Sequence, residues 1–137
     1  MAANISPIFP LTPKVWISAL ITAANTNKDG TGTVTQISSP AGPNGAFVES
    51  VEALPIGTNN ASVLRVFLNI GSSPSSAANN ILWEEVSLPA TLLTEVAAQA
   101  KVVIPLNRAI PAGYTLYATM GTAVAAGWRV RAHTGDY

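Results

Sequence analysis

A chain of 137 residues and 14.1 kDa is the size of one domain, and folded alone it would bury roughly 68% of the surface its unfolded form exposes. It has no cysteine and a single histidine, His133. Disulfide frameworks, zinc-thiolate and iron-sulfur sites and cysteine nucleophiles are therefore excluded, and little is left for metal binding or cofactor chemistry. Seven Lys and Arg balance seven Asp and Glu, so no net field favours nucleic acid or an anionic membrane as a partner.

Residues 1–13 (MAANISPIFPLTP) place Pro7, Pro10 and Pro13 at three-residue spacing. Proline removes backbone donors and disfavours both helix and central strand, so this segment is expected to be an extended arm. The apolar side chains between the prolines, Ile5, Ile8, Phe9 and Leu11, need somewhere to dock and are candidate interface residues. Two outcomes stay open: the arm docks on a neighbouring subunit, or it lies along its own domain and covers a sheet edge. Residues 14–137 are expected to form the domain.

Residues 15–24 (VWISALITAA) contain Ser and Thr and follow a Pro-rich start carrying only Lys14, a poor match to a secretory leader. No run approaches the roughly 18 apolar residues of a membrane helix. Synthesis in a cytoplasm and no membrane partner are the expectations.

From Lys14 onward, short alternating runs are separated by turn residues. Residues 14–22 alternate with Val15, Ile17, Ala19 and Ile21 on one face. Residues 25–32 (NTNKDGTG) are turn chemistry, with Asp29-Gly30 a hairpin cue. Further strands are expected at 33–38, 46–54, 62–70, 81–88, 101–106, 114–120 and 127–133. In 62–70, Leu64, Val66, Leu68 and Ile70 share the inner face, with Arg65, Phe67 and Asn69 opposite. Residues 90–100 have the one helix-like composition, read as a loop or one to two helical turns.

Short strands joined by Gly, Pro and Asn turns specify an all-β, single-domain antiparallel β-sandwich. Eight strands is also the jelly-roll number, so a jelly-roll-like wrapping is expected. An immunoglobulin-type sandwich is the rival, without the Cys pair that would favour it.

Chemistry-bearing constellations are sparse. Glu84-Glu85 is the only adjacent acid pair, and strand neighbours point to opposite faces, so the two cannot share a proton. Glu49 and Glu52 likewise have opposite parity. No Ser occupies a nucleophile elbow, and no glycine loop carries a phosphate-binding Lys. The chain is accordingly read as acting without catalysis. Arg129, Arg131 and His133 fall on one face of the last strand, with Trp128, Val130 and Ala132 on the other. Arg129 and Arg131 are thus candidate interface residues for an acidic partner or a glycan, or they pair with Glu84, Glu85 or Asp136. Trp16, Trp83 and Trp128 sit beside apolar neighbours and are read as core or interface, with a sugar-stacking platform as the other reading.

Charged residues make up only 10% of the chain, against about 25% in ordinary soluble domains. Such an exterior is coated with Asn, Ser and Thr or hidden against other macromolecules.

The segment 106–137 (LNRAIPAGYTLYATMGTAVAAGWRVRAHTGDY) runs an apolar strand into a Pro-Ala-Gly turn, a strand, a Gly-Thr turn, a Gly-Trp strand and a terminal Gly-Asp-Tyr. With Ala3 to Pro7 and the central run 62–68 (SVLRVFL), it resembles small structural proteins of tailed bacteriophages. The resemblance implies a virion component made in the host cytoplasm: a head decoration or cement protein on the capsid surface, often a homotrimer, whose partners are its own copies and the major capsid protein. It supplies no catalytic motif. The alternative is a receptor- or glycan-binding module of a tail or baseplate, which would need exposed Trp or Tyr rings at one end of the sandwich.

Overall fold

The computed structural model describes residues 9–137. The alternating runs become eight strands: β1 (Thr12–Val15), β2 (Thr35–Gln36), β3 (Ala46–Pro55), β4 (Ser62–Asn69), β5 (Asn80–Leu88), β6 (Val102–Ile110), β7 (Thr115–Met120) and β8 (Trp128–Asp136). They build two four-stranded sheets, β1-β8-β3-β6 and β2-β7-β4-β5, in which every strand pair is antiparallel. The chain is therefore the all-β antiparallel sandwich that its alternation predicts. The pairings β1 with β8, β2 with β7, β3 with β6 and β4 with β5 are nested. They describe one long antiparallel ribbon, folded so that β3 also meets β8 and β4 also meets β7.

The core lies between the sheets. Val48, Val51, Ala53, Ile104, Val130 and Ala132 come from one side, and Leu64, Val66, Leu116, Ala118 and Met120 from the other. Trp128 is fully buried among them. Pro105, within β6, is tolerated because β6 is an edge strand, where a missing N–H breaks no ladder.

A register shift between Val48 and Ser50 appears in the pairing of β3 with both neighbours. On the β6 side it coincides with Asn107 in left-handed backbone, φ 49°, the signature of a bulge that re-aims side chains. The buried set of β3 consequently switches from Ala46 and Val48 to Val51 and Ala53. Parity expected Glu49 and Glu52 on opposite faces. The shift removes that opposition, and alternation on either side of it puts both on the outer face.

Three local expectations are corrected: the strand at 14–22, the Asp29-Gly30 hairpin and the faces of 62–70. The strand expected at 14–22 ends at Val15, because Ser18 turns its hydroxyl into the ladder and accepts from the Val130 N–H at 3.0 Å. Pairing resumes only at the Ile21–Trp128 bridge, so Ile17 is exposed while Ile21 is buried. Strand β1 starts at Thr12, inside the segment read as an arm, and the Leu11 N–H already donates to the Asp136 carbonyl at 2.7 Å. The described end of that segment thus lies along its own domain at the edge of β8, while Ile5 and Ile8 fall outside the described residues.

Asp29-Gly30 makes no hairpin, since β1 and β2 belong to different sheets. Residues 25–33 instead fold over the outer face of the second sheet. The Asn25 carbonyl accepts from Arg65 Nη1 at 3.2 Å, and the Asp29 carbonyl accepts from Asn80 Nδ2 at 3.1 Å. This cover is why Arg65, Phe67 and Asn69, the row opposite the expected inner face, are all buried; Ile70, expected on the inner face, is exposed. Residues 90–100 are loop, the first of the two readings: Thr91 bridges to Asn59, and Thr94 closes a tight turn with Ala97.

One buried side chain organises the end of the sandwich where β3 finishes and β8 begins. Asn59 Nδ2 donates to Thr91 Oγ1 at 3.2 Å and to the Gly127 carbonyl at 3.1 Å, while Oδ1 accepts the Ala126 and Gly127 N–H groups at 3.0 and 2.7 Å. A buried amide satisfied on both ends holds three loops in one arrangement.

Candidate functional site

The two outer faces differ. Residues 25–33 cover part of the β2-β7-β4-β5 face, over Arg65 and Asn80, and leave Leu82, Glu85 and Ser87 of β5 exposed, whereas the β1-β8-β3-β6 face presents its side chains outward. Alternation in β8 buries Trp128, Val130 and Ala132 and turns out Arg129, Arg131 and His133, as the sequence predicts. Register then decides their neighbours: Leu54 lies opposite Arg129, Glu52 opposite Arg131, and Ser50 opposite His133. On the flanks, Val15 lies opposite His133 and Val103 opposite Glu52.

Glu52 is the centre of this face and was not singled out by pattern. It is only 7% exposed, yet both carboxylate oxygens are satisfied. Lys101 Nζ reaches Oε1 at 2.6 Å, Arg131 Nε reaches Oε2 at 2.7 Å, and His133 Nε2 lies 3.1 Å from Oε2. The Lys101 and Arg131 hydrogen bonds outweigh the opposing effect of burial and, with His133 adding a smaller pull, hold the Glu52 carboxyl down at about 2. Arg131 therefore pairs with Glu52 rather than with Glu84, Glu85 or Asp136. Of those three, Glu85 pairs with Arg65 and Asp136 with Lys14. Opposite-charge cross-strand pairs of this kind stabilise a sheet.

Arg129 is different. It is exposed, and its one side-chain hydrogen bond among the described residues is Nη1 donating to the Ser18 carbonyl at 3.1 Å. It borders a groove of about 190 Å³ whose walls are Ile17, Leu54 and Ile56, with Arg131 at the far rim. Val15, Ile17, Ile56 and Val103 are all exposed, so apolar side chains surround the ion-paired centre.

A second hollow lies where the N-terminal segment crosses this sheet, between Pro10, Pro13, Phe47 and Glu49. Gly135 lies beneath Pro10, and a Cβ there would meet the Pro10 Cβ at 2.5 Å. The glycine of the terminal Gly-Asp-Tyr thus seats the incoming chain. Phe9 and Leu11 remain exposed. The aromatic candidates are divided: Trp128 is buried, Trp83 packs against the core, and Trp16 lies at the surface with its indole N–H donating to the Gln36 carbonyl at 3.1 Å. Among the described residues, no three His, Asp or Glu side chains are grouped as a metal site would need.

Comparison with protein-family models finds no match, and neither curated proteins nor solved structures match the chain significantly.

Proposed function

We propose that this chain is a bacteriophage virion structural protein, a capsid decoration or cement protein that stabilises the shell by bridging capsid subunits. The nested strand order is read as a jelly roll, in keeping with that role. The observation that carries the proposal is the asymmetry of the sandwich. One outer face is partly covered by the chain's own loop, over Arg65 and Asn80, and the other is left open with Val15, Ile17, Ile56 and Val103 around an ion-paired cluster of one carboxylate and two cations. A surface apolar around a satisfied polar centre suits macromolecular contact, and several weak contacts of this kind add up through multivalency to firm attachment. The exposed Phe9 and Leu11 extend the same surface. The sequence resemblance and the low share of charged residues point the same way.

The test is co-sedimentation of the purified chain with assembled capsid shells lacking it. Saturable attachment and a raised shell disruption temperature are expected. No attachment, together with glycan binding that a Trp16→Ala substitution abolishes, would replace this reading with the receptor-binding one.

A further inference from the structure

Among the described residues, the most exposed large hydrophobic side chain packs against nothing in its own fold. Val96 is 96% exposed and sits with Glu95 at the tip of a tight turn. That turn is closed by Thr94 N–H to the Ala97 carbonyl at 2.9 Å and Ala97 N–H to the Thr94 carbonyl at 3.3 Å. Glu95 has no ion-pair partner among the described residues. The tip is therefore a rigid knob with one branched apolar group and one free carboxylate. The groove bordered by Arg129 is its chemical complement, with aliphatic walls from Ile17, Leu54 and Ile56 and a guanidinium that keeps donors to spare. Its volume of about 190 Å³ is enough to admit a branched aliphatic side chain. The two features are held in register by the Asn59 hub, which binds Thr91 below the knob, Gly57 beside Ile56, and Gly127 just ahead of Arg129.

We propose that the Glu95-Val96 turn of one copy inserts into the Arg129 groove of a second copy, with Val96 against Ile17, Leu54 and Ile56 and Glu95 paired with Arg129. Val96 stands free of its own chain, so the groove it fits belongs to another molecule. Knob and groove are different surfaces, so two copies can exchange knobs about a two-fold axis or copies can meet head to tail. The head-to-tail arrangement closes into a ring when the rotation between copies allows. A carboxylate meeting a guanidinium beside an apolar anchor is the composition of an interface hot spot. The inference deepens the capsid reading by naming how copies meet, but it does not require the shell.

The experiment is light scattering and sedimentation of the full chain across a concentration series, with particle attachment measured separately. Concentration-dependent assembly of the unaltered chain is expected. Val96→Asp, Glu95→Arg and Arg129→Glu should each weaken it by roughly tenfold or more, and the double variant Glu95→Arg/Arg129→Glu should recover most of the loss. The knob substitutions alter side chains that are solvent-exposed in the single chain, so at concentrations low enough for the unaltered chain to be monomeric their melting curves by circular dichroism should superimpose on its own. A chain that stays monomeric, assembly indifferent to the three substitutions, or a double variant no better than its parents would overturn the inference. If particles still bind in any of these cases, the capsid reading stands without it.

Discussion

Replacing Glu52 with Gln keeps the shape of the side chain at the centre of the open face and removes its charge. The carboxyl is lowered from 4.5 to about 2 by Lys101, Arg131 and His133, which at 1.36 kcal/mol per pH unit would correspond to about 3 kcal/mol. The side chains of Lys101 and Arg131 are 46% and 42% exposed, so water screens the attraction and about 1–2 kcal/mol remains. A carboxyl that titrates lower when folded contributes above its unfolded value and loses that contribution as pH falls through its folded one. Glu52→Gln should therefore be less stable than the unaltered chain by about 1–2 kcal/mol at pH 7, and the gap should narrow below pH 4.5 and nearly close around pH 2. Asp29, also lowered by the Thr31 hydroxyl and N–H, titrates in both proteins and cancels in the difference. The assay is urea unfolding followed by tryptophan fluorescence at fixed protein concentration, since self-association would add a concentration term. A gap that stays constant from pH 7 to pH 2 would refute the electrostatic account of this cluster.

Further substitutions probe the packing that presents the face. Val66→Asp should abolish the cooperative unfolding transition, because the side chain is fully buried in the apolar core with nothing to pair its carboxylate. Asn69→Asp should cost about 1–3 kcal/mol in urea unfolding at neutral pH. It keeps an acceptor for the Gly71 and Ser72 N–H groups but loses the donor to Asn80 Oδ1. Asn59→Ala should cost at least about 2 kcal/mol and increase amide exchange at Ala126 and Gly127, whose N–H groups lose their acceptor. Gly45→Ala should lower the melting temperature, because the residue sits at φ 86° and a Cβ there would lie 2.6 Å from the Ile110 carbonyl oxygen.

Strand composition was legible from one end of the chain to the other because the pleat is local. A period of two in residues 62–70 or 127–133 reports burial on one side wherever the strand lies, which is why the Trp128, Val130, Ala132 face was correct without any knowledge of its partners. The sandwich class and the outward row of Arg129, Arg131 and His133 followed from that alternation. Its failures have physical causes that no single-segment pattern contains. At Glu49 a bulge set by two neighbouring strands undid the parity argument, and at Ser18 a hydroxyl replaced a ladder carbonyl and ended a strand whose apolar alternation continues. Arg65, Phe67 and Asn69 were read as outward, as they are, but a loop forty residues away in sequence covers them.

Composition alone decided that this chain has no cysteine chemistry and few charges to spend on its surface. Only the fold could say where those charges meet. Glu52 lies 79 residues from Arg131 and 49 from Lys101, separations over which register, set by sheet pairing, brings a carboxylate between two cations. The tertiary structure also lays residues 25–33 over Arg65, Phe67 and Asn69, a cover that alternation does not encode because it comes from a distant segment of the chain.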